Sequence, residues 1–221
     1  LIAKKGFDAK DQMQRYVDFY SIGRGWKGDF LLKPGRTLAF AFRKFEKSGE
    51  PYSGSSHPLS AGNGGLMRLL PEVLASHSDE TTARQWSVDA TRTTHGAPEC
   101  LESSELLSIV LLALLQGEGK EAALLAGSDE PWSSEKIAAI AKGEYFNKQE
   151  ELISASAYVV NTLEAALWCF YTTNTLEEAV LKAANLGGDC DTVACVTGKI
   201  AGCFYGVEAI PFEWLEVLDS A

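Results

Sequence analysis

Residues 174–206, NTLEEAVLKAANLGGDCDTVACVTGKIAGCFYG, set two helices on either side of a glycine hinge. Thr175 and Glu178 have the three-residue spacing of a capping box at the start of the first helix. Gly187 fits the left-handed terminator at its end. The second helix, over 192–206, carries Ala194, Gly198, Ala201 and Gly202 near one face, where small residues permit close helix approach. Between the helices stand two aspartates one residue apart, Asp189 and Asp191, followed by Thr192.

Local grammar accounts for part of this hinge. The glycines stop one helix, and either Asp189 or Asp191 caps the next by accepting its unpaired N–H groups. That leaves the other carboxylate beside it with its like-charge repulsion uncompensated. A hard cation removes the cost, because Mg²⁺, Mn²⁺ and Ca²⁺ take carboxylate and hydroxyl oxygens, and Asp-x-Asp-Thr on a bend offers three of them.

Outward from the hinge, helical periodicity dominates. Residues 154–173 read as a buried helix with Leu163, Ala166, Leu167 and Phe170 on one stripe. Residues 99–117 form a helix that is nearly apolar all round toward its end, as a central core helix is. Shorter helical pieces fall at 117–127 and 133–143, and further helices over 66–76 and 81–95. Nearer the start, Asp8 or Asp11 caps a helix with Met13, Tyr16, Val17 and Tyr20 at helical spacing, and 36–49 is another. Two loops, GRGWKGDF at 23–30 and EPYSGSSHPLSAGNGG at 50–65, interrupt the helices. Period-two alternation over strand length is absent, as is a repeat of fixed period. The expected fold is all-α, a compact multi-helix single domain over 1–221, with 192–206 as its last helix.

Composition bounds the function. The 221 residues are 46% apolar and carry a formal charge of −10, which repels phosphate backbones and argues against general nucleic-acid binding. No apolar run approaches membrane-span length, so no membrane partner is expected. Five cysteines at 100, 169, 190, 195 and 203 form no Cys-x-x-Cys or Cys/His ligand pattern, which fits a reduced, cytoplasmic setting. Cys169, Cys195 and Cys203 lie in apolar helical stretches and are expected to behave as small hydrophobes.

Other aspartate and nucleophile motifs do not match. An EF-hand needs further oxygen ligands and a terminal glutamate, whereas Thr192 is followed by VACVTG. Phosphotransferases of the haloacid-dehalogenase type place Asp-x-Asp after a β-strand, and here a helix leads in. SGSSH is not Gly-x-Ser-x-Gly, GEGKE and VTGKI are not P-loops, and three histidines, at 57, 77 and 95, do not make a His-rich zinc site.

Four segments, in order, carry a resemblance: SAGNGGLMRLLPEV at 60–73, TRTTHGAPE at 91–99, YVVNTLEAALW at 158–168 and NLGGDCDTVACVTGKIAGCFYG at 185–206. Together they resemble the ADP-ribosylglycohydrolases, the group that includes the dinitrogenase reductase-activating enzyme. The resemblance implies an all-helical fold with a cleft that takes ADP-ribose or an ADP-ribosylated protein, and a centre of two Mg²⁺ or Mn²⁺ ions. The implied reaction is hydrolysis of the bond between the ribose anomeric carbon and its acceptor, typically arginine. By the same comparison Asp189, Asp191 and Thr192 match metal ligands, with the two aspartates as the catalytic pair. Gly62, Asn63 and Gly64 match a loop that approaches ADP-ribose, His95 a ligand-lining histidine, and Tyr158 an aromatic packed against the nucleotide.

The chain departs from the family pattern near its start. Family members carry near the N-terminus a Thr-Asp-Asp-Thr element with the remaining metal ligands, along with an earlier glycine-rich segment containing a glutamate, and this chain contains no adjacent aspartates. The chain begins at Leu1, and the N-terminal segment is expected to lie upstream. The 221-residue stretch alone is then expected to bind metal poorly and to be inactive. The competing readings are a non-catalytic relative that holds ADP-ribose or a protein partner, and a structural helical protein.

Overall fold

A computed structural model describes residues 1, 5–21 and 34–219; the loop expected at 23–30 lies outside them. Among the described residues the chain is helical, and its one β-type contact is an isolated parallel bridge between Ser55 and His95. The all-α expectation holds. By internal contacts the chain divides into two compact units, Leu1–Glu105 and Leu106–Ala221.

In the first unit, α1 (Ala9–Ser21) starts on Asp8, whose Oδ1 accepts from the N–H groups of Lys10 and Asp11, both at 3.0 Å. Asp8 is therefore the cap, and Asp11 pairs instead with Arg15 one turn on, at 2.7 Å. Helix α2 (Arg36–Ser48) packs on α1 through Met13, Val17, Ala41, Phe42 and Phe45, with Tyr16, Tyr20 and Leu38 at the margin. The expected helix over 66–76 is two pieces: a 3-10 turn, Asn63–Arg68, and then α3 (Leu70–Ala75). Pro71 explains the break, since it has no N–H to donate and is tolerated only in a helix's first turn. Helix α4 (Glu80–Arg92) is capped by Asp79, which accepts from Thr82 N–H at 3.1 Å, and it packs against α3.

Helix α5 (Pro98–Leu115) runs across the division of the chain, and Leu106, Leu107, Val110 and Leu111 in its second half are fully buried. Each buried leucine contributes roughly 1.5–3 kcal/mol relative to exposure. Two short helices, α6 (Lys120–Leu124) and α7 (Glu135–Ala141), each pack on α8 (Val159–Tyr171). The stripe expected on α8 is buried: Leu163, Ala166, Leu167 and Phe170 are at most 1% exposed. The helix starts five residues later than expected, however, because Ser156 organises the entry. Its Oγ accepts from Tyr158 N–H and Asn161 Nδ2, and its carbonyl accepts from Thr162 Oγ1.

Helix α9 (Leu176–Ala184) begins at the expected cap, with Thr175 Oγ1 accepting from Glu178 N–H at 3.1 Å. The Glu178 carboxylate reaches back one residue further than in a standard box, to the N–H of Asn174 at 2.8 Å. Helix α10 (Cys190–Tyr205) packs against α8 and α9. On its small-residue face Ala201 is fully buried and Gly198 meets Val180 of α9, whereas Gly202 faces open space. Cys195 is exposed on this helix, not buried as its apolar neighbours implied. The chain does not end its helices there: after Pro211, α11 (Phe212–Asp219) follows.

Candidate functional site

In the first unit the Gly62–Gly64 loop and His95 come together. A Cβ at Gly64 would stand 2.7 Å from His95 Cε1 and 3.0 Å from Nε2, and one at Gly62 would stand 3.6 Å from Cδ2 and Nε2. The imidazole therefore lies against the loop so closely that Gly64 must lack a side chain. Gly62 carries a further role, since its carbonyl accepts from Cys100 Sγ at 3.3 Å and its own N–H is engaged by Ser60 O at 2.8 Å. Asn63 is buried, at 8% exposure.

His95 is itself 3% exposed, with Nδ1 2.8 Å from Thr94 Oγ1. Burial, and then the nearby Arg68 charge, push its pKa down to about 3, so the ring is neutral at physiological pH. The other two histidines are exposed: His57 Nδ1 accepts from Leu59 N–H, and His77 Nδ1 lies 2.9 Å from Leu74 O.

Arg68, which belongs to no local motif, organises the surroundings of His95. It donates to Gly64 O at 3.0 Å, to Ala90 O at 3.2 Å and to Thr94 Oγ1, and its guanidinium stacks 5.2 Å from the Tyr16 ring centroid. The available signal was a lone cation inside the apolar run LMRLLPEVL, since a charge in a core-facing segment must be paired. Behind it, Gln12 donates to the buried Glu72 at 3.3 Å and accepts from Thr93 Oγ1 at 3.2 Å.

In the second unit the hinge takes the shape that its sequence implied. Gly187 and Gly188 follow α9 with φ of +77° and +59°, in the region that favours glycine. At Gly188 space is also closed, because a Cβ would stand 2.3 Å from Ala155 O. The same carbonyl accepts from Asp189 N–H at 2.7 Å, which fixes the entry to α10. Asp189 takes the N-cap position, yet its side chain makes no cap hydrogen bond to the helix. The capping expected from local grammar is thus not what the carboxylate does. Asp191 lies exposed in the first turn, and Thr192 is buried.

Two carboxylates and a hydroxyl give an oxygen-only donor set, which fits part of the shell of a hard divalent cation. Among the described residues no group of three or more His, Cys, Asp or Glu is placed to hold a metal. Tyr158, at the N-cap of α8, is half-buried; its hydroxyl accepts from Lys136 Nζ at 2.9 Å, and the ammonium stands 4.9 Å from the ring centroid.

An all-helical chain with an Asp-x-Asp-Thr hinge at a helix start and a histidine packed on a glycine loop defines a narrow class. The family described as ADP-ribosylglycohydrolase matches residues 1–220, and the chain belongs to it. It is 33% identical over 205 residues to the ADP-ribosylarginine hydrolase Tri1 of Serratia proteamaculans (strain 568), covering 93% of this chain and 56% of that protein. It is 29% identical over 197 residues to the ADP-ribosyl-[dinitrogen reductase] glycohydrolase of Rhodospirillum rubrum, covering 88% and 63%. A solved structure titled "ADP-ribosylglycohydrolase-related protein complex" superposes with a TM-score of 0.82 at 37% identity, covering 95% of this chain and 68% of that one. The chain spans little more than half the length of two ADP-ribosylarginine hydrolases that it matches, 56% and 57%. No helix among the described residues is long and apolar enough to cross a membrane.

Proposed function

We propose that the protein is a divalent-metal-dependent hydrolase that removes ADP-ribose from modified proteins, with the N-glycosidic bond to arginine as its substrate bond. The observation that carries the reading is the hinge: Asp189, Asp191 and Thr192 follow one another at the head of α10, an oxygen-only donor set on a bend made by two glycines of positive φ. Two carboxylates one residue apart repel one another, and a bound divalent cation offsets that repulsion. Two relatives bearing the name ADP-ribosylarginine hydrolase support the choice of acceptor.

In this account Asp189, Asp191 and Thr192 hold Mg²⁺ or Mn²⁺ as part of a two-ion centre. When bound, such ions orient ribose hydroxyls and make a water acidic enough to attack at neutral pH. The hydroxide portion of water bonds to the anomeric carbon, the carbon–nitrogen bond breaks, and the proton goes to the guanidine nitrogen. No covalent intermediate on the protein is needed. The Gly62–Gly64 loop, with the Asn63 amide and His95, binds ADP-ribose, and Tyr158 packs against the nucleotide. Both units belong to one domain in this reading, and the protein works in the cytoplasm without nucleic-acid or membrane partners.

A non-catalytic relative that binds ADP-ribose or a protein is the second reading. It is favoured by the hinge's having only two acids, with no third placed beside them among the described residues. Release of ADP-ribose from ADP-ribosylated arginine by the complete protein separates the two. The hydrolase reading expects metal-dependent release that Asp191→Ala abolishes, and a complete protein with no release under any metal contradicts it.

A further inference from the structure

The hydrogen bonds around His95 decide which of its nitrogens carries the proton. Guanidinium only donates, so Thr94 Oγ1 accepts from Arg68 Nη2. A hydroxyl has one hydrogen of its own to give, and among the described residues Thr94 Oγ1 has one other partner, His95 Nδ1 at 2.8 Å. Thr94 is fully buried. Were Nδ1 the donor, the threonine hydrogen would be left buried without an acceptor, at a cost of roughly 1–3 kcal/mol. The low-cost arrangement therefore runs in one direction, from Arg68 to Thr94 to His95. Nδ1 accepts, and the ring proton sits on Nε2.

We infer that Arg68 and Thr94 are positioning residues that hold His95 as its Nε2–H tautomer, so that the imidazole offers one hydrogen-bond donor to an oxygen of the ligand at the Gly62–Gly64 loop. The identity of that ligand rests on the reading above, with ADP-ribose oxygens as acceptors. Nε2 makes no hydrogen bond among the described residues, and a Cβ at Gly64 would stand 3.0 Å from it, so the nitrogen lies at the loop surface proposed to meet the ligand. Arg68 fixes both sides of this contact, because its other nitrogen donates to Gly64 O at 3.0 Å. The ring's neutrality agrees with the assignment, since imidazolium would carry protons on both nitrogens and leave Nδ1 unable to accept. Arg68 thus ties loop and ring to one another.

The test is nitrogen-15 NMR of the histidine rings in the complete protein, with His95 assigned through His95→Gln. The unsubstituted protein is expected to show a protonated Nε2 and an unprotonated Nδ1. Thr94→Val removes the donor at nearly constant shape and should mix the two tautomers, while Thr94→Ser should restore the original pattern. Arg68→Met should mix them as well. In calorimetric titration ADP-ribose should bind Thr94→Val about threefold to tenfold more weakly, and Thr94→Ser nearly as tightly as the unsubstituted protein. A protonated Nδ1 in the unsubstituted protein, or a pattern unmoved by Thr94→Val, overturns the inference. An Nε2–H signature with no ADP-ribose binding supports the positioning and overturns the functional reading from which its ligand comes.

Discussion

His95 Cε1 stands 2.7 Å from where a Cβ on Gly64 would be, so the ring and the loop occupy adjoining space with no room for a methyl group. Real Cβ atoms do not sit that close, and neither partner moves freely. The ring is tied to Thr94, and the Gly64 carbonyl to Arg68.

Gly64→Ala should consequently push the loop and His95 apart. Overpacking of this kind costs about 1–3 kcal/mol. Thermal denaturation should show the loss, and ADP-ribose affinity should fall with it. Gly62→Ala meets the ring only at 3.6 Å, ordinary contact distance, and should be milder in both measurements.

The hinge glycines should separate in the same way. Gly187 and Gly188 both have positive φ, but a Cβ at Gly187 meets open space while one at Gly188 meets Ala155 O at 2.3 Å. Gly187→Ala should cost roughly 1–2 kcal/mol, the left-handed penalty alone. Gly188→Ala should cost more, since the clash also displaces the carbonyl that holds Asp189 N–H. Urea denaturation of the two variants side by side gives the comparison.

Thr175→Ala should remove the cap of α9 at a cost of about 1 kcal/mol. Glu178→Ala removes the return bond to Asn174 N–H, and because the two bonds belong to one motif the double variant should fall short of additive. A double-mutant cycle in chemical denaturation reads this directly.

The buried His95 sets a pH dependence whose sign follows from linkage. Its pKa is about 3 in the folded chain against an ordinary 6.5, so the unfolded chain binds the proton more readily in the interval between. Stability is fully present above the unfolded value and is lost as pH falls through that interval, by up to about 1.4 kcal/mol per pH unit from this group. His95→Gln should flatten that part of the stability profile. A profile identical in variant and parent would contradict the burial argument.

How much of this was legible beforehand depended on the range of the interaction. The α9 cap at Thr175, the left-handed backbone at Gly187 and the buried stripe Leu163, Ala166, Leu167 and Phe170 are local or periodic features, and they lie where the sequence put them, although α9 itself stops earlier, at Ala184. The start of α8 departs from the periodic one because the Ser156 hydroxyl engages Tyr158 N–H, a backbone group, an effect that hydrophobic periodicity does not register. The hydropathy of its neighbours implies an interior Cys195, but α10 turns that position outward. The Arg68–Thr94–His95 chain joins residues 26 apart and was out of reach of any local pattern. Gly64 was legible as a loop glycine, and its reason, the histidine ring, was not.

The most direct measurement is calorimetric titration of ADP-ribose into the complete protein, with and without Mg²⁺ or Mn²⁺, beside the Asp189→Ala variant. Binding should strengthen with the metal, and in the variant the metal should make no difference. Binding that ignores both the metal and the substitution would contradict it.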